Sequence, residues 1–474
     1  MHPEPYSVTD AARALRAGET TSAELVESAI SMADRHDAAL GVYLTRFDDQ
    51  ARRWARRADD ELARGLDKGP LHGIPIAVKD VIAVADGPTT AQSLVHDPDW
   101  GAGRDAPVVA RLRRAGAVIT GKTTTMEFGC GIPDAAKPFP VPRNPWDPNR
   151  WAGGSSSGTA NGVAAGLFPA GLGSDAAGSI RMPAAFCGIT GLMPTFGLVP
   201  RSGCVPLGYT VGRVGPMART ARDCAALLAV IAGEHPADPD SAGTRFHPVP
   251  PATDDLTGLR VGVVRAEHFP AGSDPGLAGA FDQAVGVLAA AGASVEEVTL
   301  PYWREAITVT MVSAYCEGLA YHRGDLSERW DDYFAASRGL LARGALISGA
   351  DYVQAQRVRK VAQVAIARLF ERVDVVACPT AAIGAPALDQ LANEAGHQDD
   401  EGSFGMIRTP YWNALGNPVL AVPIGPGAAG LPLSMQLAGP AFGDATILRA
   451  GEAYQLRTGW HRDLPPAFRT EVVR

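Results

Sequence analysis

The sequence AGGSSSGTANGVAAG occupies residues 152–166 and sets three consecutive serines, 155–157, between glycines. Part of it matches the G-x-S-x-G pattern of a nucleophile elbow, in which a strand runs into a sharp turn and then a helix. The residues before Gly154 are rich in Pro, Asn, Asp and Trp and form no apolar run that predicts a strand. We therefore expect a loop that leads into a helix of small residues around 160–166.

No histidine stands beside these serines. A Ser-His-Asp esterase with Ser156 as nucleophile remains an alternative, although no downstream histidine stands in a recognisable triad setting. A serine hydroxyl needs a base, and a lysine can serve if burial populates its neutral form. The downstream histidines are His235, His247, His268, His322, His397 and His461.

Lys79 is the lysine that best meets this condition. It stands near the end of GIPIAVKD, residues 73–80, whose apolar run predicts a buried strand over 74–84. Buried lysine is rare without a partner. An ion pair with Asp80 is geometrically awkward, because neighbouring residues of a strand point to opposite faces. Lys79 is therefore a candidate general base.

A third segment, GSDAAGSIRMP at 173–183, packs small residues around Ser179. A tight turn here can direct several backbone N–H groups toward one point, which is the arrangement that binds an oxyanion. An ion pair between Asp175 and Arg181 is predicted to hold the shape of the turn. The candidate donors are the N–H groups of Ala176, Ala177, Gly178 and Ser179.

Two further patterns resemble nucleotide-binding motifs. Residues 116–123, GAVITGKT, match a P-loop, but their variable positions are strand-forming and β-branched residues follow, so we predict a strand over 117–120 that ends in a turn. A P-loop hydrolase remains a minor alternative. Residues 171–176, GLGSDA, match a dinucleotide fingerprint but lack the long helix and the acidic residue that should follow.

The bulk properties describe an ordinary enzyme-sized chain. Its 474 residues carry a net charge of −8, which gives no reason to expect nucleic acid or an anionic membrane as a partner. No stretch is apolar enough for a membrane span or a secretory signal. Six scattered cysteines without a C-x-x-C pair indicate reduced thiols. We therefore expect a cytoplasmic protein.

Alternating strands and helices predict an α/β architecture. Thr21 and Glu24 form a capping box before an early helix. Residues 235–258 are a linker or a long surface loop. After them, a strand at 260–264, a helix and a strand at 295–300 form a βαβ unit. The apolar face of its helix carries Leu277, Phe281, Val285 and Leu288, Asp274 and Pro275 cap it, and Gly292 ends it.

Together, Lys79, the block 152–166 and the block 173–195 resemble the amidase signature family. The resemblance is strong over about 70–220, with weaker similarity at 374–380 and 417–439. The two key serines of the family are separated by 24 residues, as Ser155 and Ser179 are here. The resemblance implies an α/β fold in which helices cover both faces of a single large mixed sheet, with residues 1–474 as one domain.

The resemblance also implies roles for individual residues. Ser179 is the nucleophile, and Ser155, after a cis peptide bond, bridges it to Lys79. Gly129, in EFGCG, lies beside the substrate with its carbonyl group available to the leaving group. Ser156 and Ser157 are supporting hydrogen-bonding residues. The oxyanion is bound by the backbone of Ala176, Ala177, Gly178 and Ser179.

The expected activity is hydrolysis of the C–N bond in a small amide or a related acyl compound such as a hydrazide, without metal or cofactor, by a possible homodimer. The alternative is the glutamine-hydrolysing subunit of a tRNA-dependent amidotransferase. That subunit typically has Gln where this chain has Met182, and the family often has two glycines where this chain has Ala177 and Gly178. Some aromatic and thiol side chains could either line an acyl pocket or belong to ordinary core or surface packing: Tyr302, Trp303, Tyr315, Cys316, Tyr411 and Trp412.

Overall fold

The computed structural model describes residues 7–244, 246, 253–394 and 402–469. In this part of the chain, eleven strands form one sheet and two more form a short hairpin, β4 with β5. The strands are β1 (Tyr43–Arg46), β2 (Pro75–Lys79), β3 (Val118–Thr123), β4 (Arg143–Asn144), β5 (Asp147–Trp151), β6 (Ala170–Asp175), β7 (Thr190–Met193), β8 (Arg213–Ala218), β9 (Arg260–Val263), β10 (Ser294–Glu297), β11 (Val375–Pro379), β12 (Val419–Pro426) and β13 (Pro432–Ala438).

The sheet is mixed, with the strand order β1-β3-β2-β6-β8-β7-β12-β13-β11-β9-β10. Strand β2 runs parallel to both β3 and β6, and β9 runs parallel to both β10 and β11. The remaining neighbours are antiparallel. Strands from both sides of segment 235–258 therefore belong to one sheet. Residues 245 and 247–252 lie outside the described residues, so the loop or linker assignment stays a prediction.

Helices pack around this sheet. They are α1 (Val8–Ala17), α2 (Ser22–Leu40), α3 (Asp48–Ala63), α4 (Pro107–Arg114), α5 (Ser157–Ala164), α6 (Arg181–Cys187), α7 (Ala221–Ile231), α8 (Leu277–Ala290), α9 (Trp303–Glu328), α10 (Ala335–Ala342), α11 (Gly349–Leu369), α12 (Leu388–Glu394), α13 (Pro410–Leu415), α14 (Asp444–Leu456) and α15 (Pro466–Arg469). Short 3₁₀ turns lie at Glu127–Gly129, Arg343–Leu346, Ser403–Met406 and Trp460–Arg462. Across the described residues, none of the helices is long and apolar enough to cross a bilayer.

Both faces of the sheet are buried, as the alternation of side chains on β2 shows. Ile76 belongs to one apolar cluster, together with Leu228 of α7. Its neighbour Ala77 belongs to a second cluster, together with Val163 of α5. Successive residues of a strand point to opposite faces, so α5 and α7 cover opposite sides. This confirms the predicted α/β fold with helices on both faces.

Several predicted elements are confirmed, with shifted boundaries. The capping box of α2 is present, with Thr21 Oγ1 accepting from the Glu24 N–H at 3.1 Å. The small-residue helix is α5, which begins three residues before the predicted 160–166. The strand predicted over 74–84 stops at Lys79, because the chain turns there and the Ile82 N–H donates to the Lys79 carbonyl at 3.0 Å.

The predicted βαβ unit is β9–α8–β10, and its two strands are parallel. The second strand lies at 294–297 instead of 295–300, at the edge of the sheet, where all of its residues are exposed. The helix begins at Leu277, and Asp274 Oδ1 accepts the Gly276 N–H at 2.8 Å just before it. Gly292, with φ +101°, follows the end of the helix as predicted.

The strand interpretation of the P-loop match is confirmed. Residues 118–123 are β3, and no helix follows them directly. Lys122 is fully buried, with Nζ 2.8 Å from Asp80 Oδ1. Its amine is therefore already paired and cannot reach a nucleotide phosphate. The six cysteines are all unpaired, as expected for reduced thiols.

Candidate active site

The predicted site residues meet at the carboxyl ends of two neighbouring parallel strands. Lys79 is the last residue of β2, and Ser174 is the penultimate residue of β6. Ligands of α/β proteins commonly bind at this edge of a sheet. A cavity of about 240 Å3 opens here, and Gly129, Ser155 and Ser179 are among the residues that line it.

Lys79 is a buried amine that bridges two hydroxyl groups. Its Nζ donates to Ser155 Oγ at 2.6 Å and to Ser174 Oγ at 2.9 Å. Among the described residues it forms no ion pair, and burial lowers its pKa to about 7. A substantial fraction of this amine is therefore neutral near pH 7. Ser174 was missed by the sequence analysis, since no motif marks it as a partner of a lysine 95 residues away.

Asp80 does not compensate the charge of Lys79. Its carboxylate pairs with Lys122 at 2.8 Å and accepts the backbone N–H of Thr90 at 3.0 Å. The side chains of the neighbours Lys79 and Asp80 thus contact different groups of residues, as strand alternation predicts.

The serine loop presents one of its three hydroxyl groups to the cavity. The peptide bond between Gly154 and Ser155 is cis, and Ser155 lines the cavity. Ser156 is fully buried; its hydroxyl donates to the Ser174 carbonyl at 3.1 Å and accepts the Ser174 N–H at 3.2 Å. The Ser157 hydroxyl donates to the Gly153 carbonyl at 2.5 Å. Ser156 and Ser157 therefore tie the loop together.

Ser179 lies across the same cavity. Its carbonyl group accepts the Ser156 N–H at 3.1 Å, which joins the two serine segments. Its side chain is half-buried, and among the described residues its hydroxyl forms no hydrogen bond. The free hydroxyl of Ser179 is thus the one most open to a bound molecule.

A buried ion pair shapes the loop that carries Ser179. Arg181 contacts both oxygens of Asp175 at 3.0 Å, as the sequence predicts. Burial acts to raise the pKa of Asp175, but the Arg181 guanidinium and the hydrogen bonds from Asn413 and the Ile180 backbone together lower that pKa to about 2. Asp175 also accepts the Gly178 N–H at 2.7 Å. The carboxylate is therefore a fixed acceptor around which the loop folds.

This bond corrects one part of the predicted oxyanion site. The Gly178 N–H is occupied by Asp175, so it is not available to an oxyanion. Within the described structure, the remaining three N–H groups have no hydrogen-bond acceptor. They belong to Ala176, Ala177 and Ser179, and their role stays a prediction.

Thr409, from a distant segment, fixes the conformation of the same loop. Its hydroxyl donates to the Ala177 carbonyl at 2.7 Å, 232 residues earlier in the chain. Gly178 has φ +131°, and a Cβ atom there would lie 1.9 Å from Thr409 Oγ1. Only glycine fits this position, both because of its backbone angle and because of the contact.

Gly129 leaves open space next to the two catalytic candidates. It has φ +77°, and a Cβ atom there would lie 3.4 Å from Ser155 Oγ and 4.0 Å from Lys79 Nζ. The turn that carries it is anchored by Glu127, whose carboxylate accepts the Ser93 hydroxyl and the Phe334 N–H, both at 2.7 Å. Gly129 therefore borders the cavity, and its place beside a substrate stays a prediction.

Comparison with known proteins identifies the family. The family model described as Amidase matches residues 24–448, which include Lys79, Ser155 and Ser179. The chain belongs to the amidase family. The resemblance to amidase signature enzymes is thereby confirmed, and membership makes this chain a hydrolase that acts on carbon–nitrogen bonds.

Individual relatives within the amidase family are similar over almost their whole length. A glutamyl-tRNA(Gln) amidotransferase subunit of Roseiflexus sp. is 40% identical, over 97% of this chain and 98% of that protein. Putative amidase AmiD of Mycobacterium tuberculosis is 36% identical, over 97% and 95%. A solved structure described as part of "an unexpected vestigial protein complex" that "reveals the evolutionary origins of an s-triazine catabolic enzyme" has a TM-score of 0.87, with 31% identity over 96% of this chain and 99% of that chain.

The six candidate residues for an acyl pocket are instead part of ordinary core or surface packing. Tyr411 and Trp412 are fully buried in an apolar cluster with Trp303 at its margin, and Tyr302 is 44% exposed. Neither these residues nor Tyr315 and Cys316 line the cavity. The cavity is instead lined by residues of the loop 201–212, by the start of β8 and by residues 237–240. Loop residues carry no periodic pattern, so the sequence did not mark them.

Two other expectations bear on the competing functions. None of the histidines that the structure describes lines the cavity, while His247 and His397 lie outside the described residues. Met182 is 7% exposed and packs in an apolar cluster that includes Trp151 and Phe186. Because Met182 does not border the cavity, it carries little information about the substrate of this amidase.

Proposed function

We propose that this chain hydrolyses the C–N bond of a small carboxylic amide, or of a related acyl compound such as a hydrazide, through an acyl-enzyme on Ser179. The observation that carries the proposal is the state of Lys79. This fully buried amine has no ion pair within the described residues, lies 2.6 Å from Ser155 Oγ and has a pKa of about 7, so it can accept a proton at neutral pH.

Acylation begins with proton transfer along the side chains. The neutral Lys79 amine accepts the Ser155 proton while Ser155 accepts the proton of Ser179, and the Ser179 oxygen bonds to the carbonyl carbon of the substrate. The resulting oxyanion accepts hydrogen bonds from the free N–H groups of Ala176, Ala177 and Ser179. Such preorganised donors are worth about 3–4 kcal/mol each in related chemistry.

The leaving group then receives a proton from Ser155. As the C–N bond breaks, Ser155 donates a proton to the departing nitrogen and regains one from Lys79. The Gly129 carbonyl, beside Ser155, accepts a hydrogen bond from the departing amine. A water molecule subsequently adds to the acyl-enzyme and gives its proton to the relay formed by Ser155 and Lys79. This step releases the carboxylic acid and free Ser179.

The size of the cavity supports a small substrate. Its volume of about 240 Å3 lies below the range of about 300–1,000 Å3 typical of sites for drug-sized ligands. A short acyl chain with a primary amide or hydrazide group suits this space better than a peptide or a nucleic acid does.

Ser179→Ala tests the proposal directly. Wild type and variant are incubated with a fluorophosphonate serine probe and analysed by intact-protein mass spectrometry, then assayed on a panel of amides, esters and hydrazides. Wild type gains the probe mass and Ser179→Ala does not. Ser202→Ala, which changes another serine of the same cavity, retains labelling. Labelling of Ser179→Ala would overturn the assignment.

A second candidate is a glutamine-hydrolysing subunit that works with partner proteins. It is favoured by the 40% identity, over 97% of this chain, with the glutamyl-tRNA(Gln) amidotransferase subunit of Roseiflexus sp.. Affinity purification from the native host, followed by assays of ammonia release from glutamine, separates the two functions. Glutamine hydrolysis only in the presence of co-purifying chains supports the second function. Turnover of small amides by the isolated chain supports the first.

The expectations of a homodimer and of a cytoplasmic location stay predictions. Light scattering coupled to size-exclusion chromatography measures the first, and fractionation of the native host measures the second.

A further inference from the structure

Five charged side chains line the cavity, and four of them have clear partners. Asp175 pairs with Arg181, as described above. Arg201 pairs with Asp240 at 2.6 Å. Asp238 accepts the backbone N–H groups of Arg201 and Asp240. The fifth is Arg213, the first residue of β8.

Arg213 is a buried cation without a carboxylate partner among the described residues. It is 3% exposed. Its guanidinium donates only to neutral acceptors, including the Val211 carbonyl at 2.9 Å and the Asn413 carbonyl at 3.2 Å. Its Nε–H is buried and has no acceptor in the part of the chain that the structure describes. Buried charges in native proteins are normally paired, so this arrangement calls for an explanation.

The carboxylates near Arg213 do not pair with its guanidinium. Asp175 lies opposite Arg213 in the register of β6 and β8, but both of its oxygens contact Arg181. Burial lowers the pKa of Arg213 to about 9, and the charge of Asp175 offsets only part of this shift. An anion entering the cavity would relieve this cost and would gain a charge-assisted hydrogen bond.

We propose that Arg213 is a specificity-determining residue that binds an anionic group, such as a carboxylate, at the far end of the amide substrate. The inference rests on the proposed function and narrows it, from small amides in general to amides of dicarboxylic acids. Arg201 lines the same wall and also has a buried Nε–H without an acceptor, but Asp240 already neutralises its charge. Arg213 is therefore the primary anchor.

Two amides of equal chain length test this selectivity. Pentanamide is neutral, and glutaramate is the same five-carbon amide with a terminal carboxylate. Wild type is expected to show the higher kcat/KM on glutaramate. In Arg213→Gln, the ratio of the two kcat/KM values falls about 10- to 100-fold, mainly through the KM for glutaramate, as expected for the loss of a charged hydrogen bond. Arg213→Lys keeps the charge and retains an intermediate ratio.

The controls separate specificity from folding. Arg265→Gln removes an exposed arginine that pairs with Asp282 away from the cavity, and it leaves the ratio unchanged. Thermal melting reports whether Arg213→Gln folds; if it does not, the comparison is made with Arg213→Lys. No preference for glutaramate in wild type, or an equal loss on both amides in the folded variant, would overturn the inference.

A binding measurement keeps this test independent of turnover. Calorimetric titration of glutarate into wild type and into the Arg213 variants measures the Kd of the anion site without requiring hydrolysis. If neither amide is hydrolysed, the proposed function fails, while a Kd for glutarate that weakens about 10-fold or more in the variants still supports the anion site. An unchanged Kd refutes that site even if hydrolysis is observed.

Discussion

Replacing Lys79 with methionine should remove activity and at the same time change how the stability of the protein depends on pH. The pKa of this amine is about 7 in the fold, against an ordinary value of 10.5. A tenfold difference in acidity corresponds to about 1.4 kcal/mol. Keeping the amine buried at pH 7 therefore costs the folded chain about 5 kcal/mol relative to the unfolded chain.

Methionine removes that cost but leaves two hydroxyl groups without the amine. Ser155 and Ser174 lose hydrogen bonds of 2.6 and 2.9 Å, and an unsatisfied buried polar group costs about 1–3 kcal/mol. At pH 7 the two effects largely offset each other, and the variant is expected to lie between about 1 kcal/mol below and about 3 kcal/mol above wild type in stability. Amide hydrolysis is lost, because no neutral amine remains to accept the proton.

The pH dependence gives the sharper test. Between about pH 7 and about pH 10.5 the unfolded chain carries a proton on Lys79 that the folded chain lacks. Wild-type stability therefore rises with pH in this window, by about 1.4 kcal/mol per pH unit from this group alone, and is flat below it. The methionine variant lacks this rise, so its stability relative to wild type falls by about 3 kcal/mol between about pH 7 and about pH 9.5.

Equilibrium urea unfolding, followed by tryptophan fluorescence, measures both stabilities at these two pH values, with Lys360→Met as the matched exchange at an exposed position. In the same window the wild-type kcat/KM rises with pH through about 7, because the neutral amine is the active form. A stability difference that does not change with pH, or hydrolysis retained by Lys79→Met, would refute the assignment of Lys79 as a neutral base.

Three further substitutions probe the surroundings of the site. Gly178→Ala forces a methyl group against Thr409 at a φ of +131°, so activity should fall more than about 100-fold and the melting temperature should drop. Gly129→Ala puts a methyl group in the space beside the relay, and kcat should fall at least about 10-fold while circular dichroism stays unchanged. Asp175→Asn leaves Arg181 buried and unpaired, which should cost about 3–5 kcal/mol in urea unfolding; a loss below about 1 kcal/mol would contradict the role given to this ion pair.

Most of the fold follows from local patterns. The capping box at Thr21 and the buried strand ending at Lys79 were legible because they depend on residues close together in the chain. The boundaries of these elements were harder to predict. The strand predicted over 74–84 ends early because a turn at Lys79 interrupts an apolar run that still reads as a strand.

The candidate residues of the site could be predicted in part, because local sequence patterns mark some of them. Lys79, Ser155 and Ser179 stand in segments whose small residues and spacing are distinctive. The residues of the acyl pocket could not be predicted, because aromatic side chains such as Tyr411 and Trp412 suit a buried core as well as a pocket. Only packing distinguishes the two.

The sequence by itself determined the α/β class, the family and the order of the lysine and the two serines. Only the tertiary structure decided what each group faces. Ser174 meets Lys79 across 95 residues and Thr409 meets Ala177 across 232, because the sheet brings separate strands and loops to one edge. Burial, hydrogen-bond occupancy and charge compensation arise from these distant contacts, and a linear pattern does not contain them.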